Sequence, residues 1–127
     1  MQLVELIERA EQGSNDLDAM MAEMLGHDIT WSQTRQTMIM FPVVSWKKPH
    51  LYAGMTEPCP RFTESVDDIF RLINQMNPDF EMEFKYSAVT RRTEVKFQLT
   101  QNSPIWNASA KYPAQAMSLA FVKAHLG

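Results

Sequence analysis

Three histidines and one cysteine are the side chains of this sequence with the greatest potential for chemistry. His27, His50 and His125 lie far apart and show no H-x-H or H-x-x-x-H spacing, which would favour a metal site. Cys59 is the only cysteine, so an internal disulfide is excluded, and its thiol would need an activating base to act as a nucleophile. We therefore predict no metal, no cofactor and no catalytic residues, and we expect that the protein is not an enzyme.

Carboxylates and glycines form no catalytic constellation either. Asp67 and Asp68 are adjacent, so they point about 100° apart on a helix and suit its N-terminal end better than acid–base catalysis. His27 beside Asp28 is interpreted as a solvated turn. The chain has four glycines, with neither a glycine-rich phosphate loop nor G-x-S-x-G. A small-molecule-binding or hydrolytic protein is an alternative that requires a pocket gathering two or more of the histidines and Cys59.

Cations interleaved with aromatic side chains form a candidate binding set. Such side chains contact phosphates and stack on bases, which makes nucleic-acid binding an alternative function. The competing interpretation is an exposed loop with solvated lysines and with aromatic side chains packed on the core. The candidate residues are Trp46, Lys47, Lys48, His50, Arg91, Arg92 and Lys111.

Composition indicates one globular domain over residues 1–127, with 45% hydrophobic and 21% charged residues. The net charge is −3, and the acidity lies in residues 1–60, which carry four Lys/Arg against eight Asp/Glu. This balance disfavours a protein that coats nucleic acid or a membrane surface. No signal-like start and no apolar stretch of about 18 residues is seen. We expect a cytoplasmic protein without a membrane partner.

Helical periodicity predicts an N-terminal helical hairpin over residues 1–26. The first helix covers 2–11, and the second follows S-N-D-L-D, with Asp16 and Asp18 in its first turn, and ends at Gly26. The hairpin should have an acidic outside. Residues 27–60 are predicted to be an insertion of one or two strands and loops, because four prolines would break any long element.

The remaining residues, 61–127, predict an α-β-β-β-α core. A helix over 65–76 is capped by Ser65 or Thr63, and a last helix begins at Pro113. Between them, two alternating strands pair so that Lys85 faces Glu94, Glu83 faces Lys96 and Phe84 faces Val95, with a loop from Ala88 to Arg91. A third strand covers 104–110. The strands should turn one apolar face inward (Phe80, Met82, Phe84 and Tyr86; Val95, Phe97 and Leu99).

The predicted fold class is therefore α+β, with a three- to four-stranded antiparallel sheet packed by the 65–76 and 113–126 helices. Gln115, Ser118, Lys123 and His125 would be the polar positions of the broadly apolar last helix. The order of elements matches double-stranded-RNA-binding domains, but the residues match their chemistry poorly. Lys111 is the only cation at the last helix start, and the loop holding Arg91 and Arg92 lacks histidine and glycine.

Three segments carry a family resemblance: LIERAEQGSNDLDAMMA at 6–22, PRFTESVDDIFRLI at 60–73 and WNASAKYPAQAMSLAFVKA at 106–124. Together they resemble the phage ABA sandwich domain proteins of tailed phages and prophages, while residues 27–59 are unmatched. The family's helix entries correspond to Leu17–Ala19, Thr63–Asp67 and Pro113–Ala116, with Asp68 where alanine is usual and Met117 where small residues or cysteine are common. The resemblance implies a layered α/β fold and a phage or prophage origin, and it implies no activity.

Function is predicted from these observations as non-catalytic binding of a host or phage protein, of which a blocker of host defence is one concrete form. The acidic, Met-rich N-terminal half and the insertion motivate this hypothesis. An exposed edge strand, or the Met-rich helix over 15–25, could also pair two copies into a homodimer.

Overall fold

The computed structural model describes residues 2–33, 39–47 and 55–127, and within them the chain forms four helices and six strands. Their order places two helices first, then three strands, then an α-β-β-β-α unit. The bounds are α1 Leu3–Arg9, α2 Asn15–Met24, β1 Asp28–Gln33, β2 Met40–Ser45, β3 Thr56–Pro58, α3 Val66–Met76, β4 Glu81–Ser87, β5 Arg92–Gln98, β6 Trp106–Ala110 and α4 Pro113–Leu126.

Local capping signals explain where the helices begin and end. The Ser14 hydroxyl accepts a hydrogen bond from the Leu17 N–H at 3.2 Å, and the Ser65 hydroxyl accepts one from the Asp68 N–H at 3.2 Å. Gly26 follows α2 with φ 92°, a conformation that glycine adopts without strain. The predicted N-terminal hairpin and the predicted α3 are confirmed.

The second sheet, with strand order β4-β5-β6, has the register that alternation and charge predict. Lys85 pairs with Glu94, Glu83 with Lys96 and Phe84 with Val95. The loop between β4 and β5 ends at Arg91, whose φ of 56° is left-handed. On the other side of β5, Val95 pairs with Ala108 of β6.

The first sheet, with strand order β1-β2-β3, replaces the predicted one or two strands with three. The prolines were expected to break any long element, and the three strands have six, six and three residues. Pro42 itself lies within β2 opposite Trp31. Only residues 43–45 of β2 pair with β3, so Pro42 sits where that side of the ladder ends. Its carbonyl accepts a hydrogen bond from the Cys59 N–H at 2.9 Å.

Helix α4 is buried on nearly all sides, since β5 and β6 cover one side and α1 and α3 pack on others. Gln115 and Ser118, two of the predicted polar positions of this helix, are buried in the structure. Gln115 Nε2 donates to the carbonyls of Ile7 at 3.0 Å and Ala10 at 2.7 Å, and the Ser118 hydroxyl donates to the Phe62 carbonyl at 2.8 Å. Backbone carbonyls of neighbouring segments thus satisfy the donor groups of both side chains, while the buried Gln115 Oε1 has no hydrogen-bond partner among the described residues.

The helices lie between the two sheets, with the first sheet on α2 and the second on α4. Helix α3 packs beside α4 and reaches the start of β4 through Phe70, whose ring centroid lies 5.7 Å from that of Phe80. One cluster of buried apolar side chains includes Val44 of the first sheet and Phe97 of the second. The α+β class is confirmed, with two three-stranded antiparallel sheets where one sheet of three to four strands was predicted.

Candidate functional site

Trp46 and Lys47, the described part of the predicted basic loop, are engaged within the fold. Trp46 is only 3% exposed, and its Nε1 donates to the Glu57 carboxylate at 3.0 Å, so the indole presents no face for a base to stack on. The Lys47 ammonium lies 2.6 Å from the Asp28 carboxylate. Lys48 and His50 lie outside the described residues. This part of the loop fits the interpretation in which aromatic side chains pack on the core.

Arg91, Arg92 and Lys111 are brought to one end of the second sheet. The last ladder pair joins Thr93 to Ala110, so Arg92, just before Thr93, and Lys111, just after Ala110, lie at the same end. Arg92 donates through Nε to the Ser109 hydroxyl and through Nη2 to the Ser109 carbonyl, both at 3.0 Å. The structure therefore gathers three of the predicted cations, while Lys47 belongs to the other sheet.

His27 is not the solvated turn residue that the sequence predicted. It is buried, its ring meets Trp46 edge-on at 4.8 Å, and its Nδ1 accepts a hydrogen bond from the Lys47 N–H at 3.0 Å. The turn after α2 is covered because the end of β2 passes over it. His27 thus helps to fasten the first sheet to α2.

Cys59 lies at the opposite end of β2 from His27. Its N–H bonds to the Pro42 carbonyl, whereas His27 bonds to Lys47, and five extended residues span roughly 16 Å. Burial raises the pKa of the Cys59 thiol to about 12, and the carboxylates of Asp18, Asp68 and Glu57 add to the shift. The thiol is therefore protonated at neutral pH and is a poor nucleophile.

His125 stacks on Phe121 near the end of α4, with ring centroids 5.9 Å apart. Across residues 2–33, 39–47 and 55–127, no group of three or more histidine, cysteine, aspartate or glutamate side chains has the arrangement of a metal site. The described histidines and Cys59 thus do not converge on one pocket in the way that a hydrolytic site requires.

A buried polar junction around Asp18 is a feature that sequence reasoning missed. Asp18 was predicted to lie on the acidic outside of the hairpin, and this is wrong, because its side chain is fully buried. One carboxylate oxygen accepts hydrogen bonds from the Thr63 N–H at 2.8 Å and the Thr63 hydroxyl at 2.7 Å. The other oxygen has no hydrogen-bond partner among the described residues. Burial raises the pKa of Asp18 to about 6, although both Thr63 bonds oppose the shift.

Gly13 allows the junction to close. The Ser14 N–H donates to the Thr63 hydroxyl at 3.0 Å, which brings the two chain segments together. A Cβ on Gly13 would lie 2.2 Å from the Thr63 carbonyl oxygen. The junction therefore joins the start of α2 to the loop that enters the second half of the chain, and its role is structural.

Two exposed apolar surfaces are better candidates for function. The first-sheet patch consists of Trp31 and Met40, which are 39% and 47% exposed. Trp31 pairs with Pro42, and Met40 is two residues from Pro42 on the same strand, so Trp31 and Met40 are diagonal neighbours on one face. The same face also carries the buried Val44. The apolar face of the first sheet therefore extends beyond the part that α2 covers.

The second surface is the β4 overhang, which consists of Phe84 and Tyr86. Both were predicted to point into the core, yet they are 53% and 59% exposed. Their alternation with Glu83 and Lys85 is as predicted, but α4 covers β5 and β6 and leaves the far part of β4 uncovered. Only the beginning of β4, near the partly buried Met82, joins the core.

A cleft of about 730 Å³ lies beside the β4 overhang, on the face of the second sheet that carries α4. Phe84, Val95 and Ala108 form one row across the three strands and line it from the sheet side. Leu119 and Lys123 line it from α4. The cleft therefore lies between α4 and the outer strand β4, which no helix in the described ranges covers.

The opposite face of the second sheet is polar. Charged side chains from β4 and β5 alternate in sign across this face, since Glu83 pairs with Lys96 and Lys85 with Glu94. These four side chains add up to no net charge, so this part of the face is a poor surface for a polyanion.

No helix in the described ranges is both long and apolar enough to cross a membrane. Comparison of the chain with protein-family models, with curated proteins and with solved structures gives no match.

Proposed function

We propose that this protein is a non-catalytic binding module whose first-sheet patch docks on another protein. The partner would be a host or phage protein, in keeping with the resemblance of the chain to phage ABA sandwich domain proteins, and the setting would be the cytoplasm of a bacterium. Blocking a host defence factor is one form that such binding would take.

The exposure of Trp31 beside Met40 is the single observation that carries this proposal. Both residues lie on the same face of the first sheet as the buried Val44, which packs in the core. At the Trp31 and Met40 end of the sheet no helix of the described residues covers this face, so the two side chains expose apolar surface to solvent. Burying such surface is worth about 25 cal/mol per Å². Tryptophan and methionine are also enriched in protein interfaces, where a few central side chains supply most of the affinity.

Charge indicates what would surround the patch on a partner. Helix α2, which supports the first sheet, exposes Asp16 and Glu23, and the N-terminal half of the chain is acidic overall. A partner with an apolar centre and a basic rim would fit this surface and would associate faster at low salt.

A pull-down from host lysate tests the proposal. Wild-type protein should retain one stoichiometric partner, and Trp31→Ala should lower the retained amount at least tenfold because it removes the central apolar side chain. Val89→Ala is the matched control, since Val89 is a nearly fully exposed apolar residue in the turn between β4 and β5. Circular dichroism confirms that each variant is folded. A folded wild-type protein that retains no stoichiometric partner contradicts the proposal.

Nucleic-acid binding is a second candidate, favoured by the clustering of Arg91, Arg92 and Lys111 at one end of the second sheet. The affinity for nucleic acid should fall steeply as the salt concentration rises. Replacing Arg91 and Arg92 with alanine should make the slope of log affinity against log salt concentration less steep, by the amount expected for the loss of about two phosphate contacts. A gel shift at low salt measures this. The absence of any shift removes this candidate and leaves the first-sheet patch unaffected.

A further inference from the structure

Strand β4 is an edge of the second sheet. It pairs with β5 on one side, and no other strand in the described ranges pairs with its outer side. An edge strand presents unpaired backbone N–H and C=O groups to solvent, which is the template for adding a further strand. The exposed Phe84 and Tyr86 add apolar side chains at the same edge.

The residues of β4 are complementary to themselves. The strand reads EMEFKYS, has seven residues and has Phe84 at its centre. If two copies pair antiparallel about that centre, all seven residues of each strand find a partner. Glu83 then faces Lys85 of the second copy, Met82 faces Tyr86, Glu81 faces Ser87, and the two Phe84 side chains face each other.

Neighbouring registers are worse. Centring the pair one residue earlier places Glu83 opposite Glu83 of the second copy, and centring it one residue later places Lys85 opposite Lys85. Like charges directly opposite each other are destabilising. Only the register centred on Phe84 combines full overlap with opposite charges.

The existing ladder strengthens this register. Within one copy, Lys96 already pairs with Glu83, and Glu94 already pairs with Lys85. A second copy would extend these rows across the edge, so that each of these two charges of β4 lies between two opposite charges. On the other face, Phe84 and Tyr86 would gain apolar neighbours that the helices of their own copy do not supply.

We propose that β4 is a homodimer interface, at which a second copy of this chain pairs antiparallel through its own β4 about a two-fold axis between the two Phe84 residues. The result is one continuous six-stranded sheet with an isologous contact. This inference goes beyond the proposed function and does not depend on it, because the first-sheet patch lies on the other sheet.

Sedimentation velocity over a range of concentrations tests the dimer with charge variants. Wild-type protein should be dimeric. Glu83→Lys alone and Lys85→Glu alone should each raise the dimer dissociation constant at least tenfold, because each places like charges opposite one another twice. An equimolar mixture of the two variants should recover the dimer. In the mixed pair the two introduced side chains face each other with opposite charges, and the native Lys85 of one variant faces the native Glu83 of the other.

The matched control is Lys96→Glu, which disturbs the ladder partner of Glu83 within one copy but leaves the edge of β4 intact. It should stay dimeric. A second measurement uses Phe84→Cys, which should form a disulfide-linked dimer on mild oxidation, because residues that face each other across antiparallel strands lie within disulfide range. Lys85→Cys should cross-link far less, since Lys85 faces Glu83 of the other copy.

Several results would overturn the proposal. Wild-type protein that stays monomeric at every concentration shows that the edge takes a different occupant or none. Dimers that tolerate both charge variants, or variants that do not recover a dimer on mixing, show that the contact lies elsewhere. Trp31→Ala should leave dimerisation unchanged, so failure of the protein-binding proposal is distinguishable from failure of this one.

Discussion

The two sheets have the same strand number and the same antiparallel order, but they are fastened to the helices differently. The second sheet buries Val95 and Phe97 of its central strand beneath α4, together with the small side chains of β6. The first sheet buries Val44 completely in its central strand, and it relies on contacts just outside the strands, such as Trp46 against His27. The second sheet is therefore part of the main core, whereas the first is attached to α2 near one end.

This difference explains where apolar surface is left exposed. Each sheet extends past the helix beneath it, so Trp31 and Met40 of the first sheet and Phe84 and Tyr86 of the second remain in contact with solvent. Both proposals made above interpret these exposed apolar groups as interaction surfaces. How strongly each sheet is held can be measured by substitution.

The largest effect is expected from core truncation in the two central strands. Phe97→Ala should lower the free energy of unfolding by about 3 to 5 kcal/mol, because Phe97 packs against both Phe80 and Phe121. Val44→Ala should lower it by about 2 kcal/mol, since fewer carbons are removed. Urea denaturation measures both. Equal losses would show that the first sheet is as firmly held as the second.

The junction between the two halves of the chain predicts a pH dependence. The pKa of Asp18 rises from 3.8 in the unfolded chain to about 6 in the folded protein, so the folded state binds the proton more tightly. Its contribution to stability is therefore fully present below about pH 3.8 and is lost as the pH rises through about 6. The difference is roughly 2 to 3 kcal/mol.

Asp18→Asn tests this pH dependence because the amide oxygen can still accept both Thr63 hydrogen bonds without carrying a charge. Urea denaturation between pH 4 and 7 should show a flatter profile for the variant than for the wild type. Asp16→Asn, at an exposed position in the same turn of α2, controls for the loss of one negative charge. If the stability of the wild type and that of Asp18→Asn change with pH in parallel, Asp18 is not the source of the pH dependence.

Replacing Gly13, which lies against Thr63 at the same junction, should lower the stability by a somewhat smaller amount. Gly13→Ala should destabilise the protein by about 1 to 3 kcal/mol, because the added methyl group would clash with the Thr63 carbonyl and force backbone movement. Gln12→Ala, at the exposed neighbouring position, should change stability by less than about 0.5 kcal/mol. Thermal melts of the two variants give the comparison. A Gly13→Ala protein as stable as Gln12→Ala would mean that the junction opens without cost.

The smallest effect is expected at the ion pair of the first sheet. Lys47 and Asp28 are both exposed, so a double-mutant cycle with Lys47→Met and Asp28→Asn should give a coupling of about 0.2 to 1 kcal/mol. The coupling should nearly vanish at about 1 M salt, where the screening length is about 3 Å. A large coupling free energy that does not change with salt would mean that this ion pair contributes substantially to the stability of the first sheet.

Local sequence patterns were sufficient to predict the strands β4 and β5 and their register in the second half of the chain. Alternation in β4 and β5, with Lys85 opposite Glu94, specifies a register because a slip of one residue would turn every side chain to the wrong face. The start of α2 was predicted at S-N-D-L-D, and Ser65 was one of two caps predicted for α3. The observed caps, Ser14 and Ser65, each accept a hydrogen bond from a backbone N–H three residues away. In residues 27–60 the strands are short and prolines interrupt the pattern, so the sequence predicted one or two strands where the structure has three.

The candidate surfaces were harder to predict. The sequence correctly places Phe84 and Tyr86 on the apolar face of β4, but it does not show how far α4 reaches across that face. For Trp46 it leaves two interpretations open, a binding residue or an aromatic side chain packed on the core, and the structure shows the second, since Trp46 is buried. Conversely, Trp31 was not singled out, because one tryptophan in an ambiguous strand gives no sign of whether a helix will cover it.

The sequence by itself determined the helix ends, the two long strands and their register, because those features depend on residues a few positions apart or on a repeated period of two. The tertiary structure alone decided that Asp18 is buried against Thr63, 45 residues away, and that the end of β4 is left bare. Burial depends on which distant segment arrives over a side chain, and the identity of that side chain does not specify the segment.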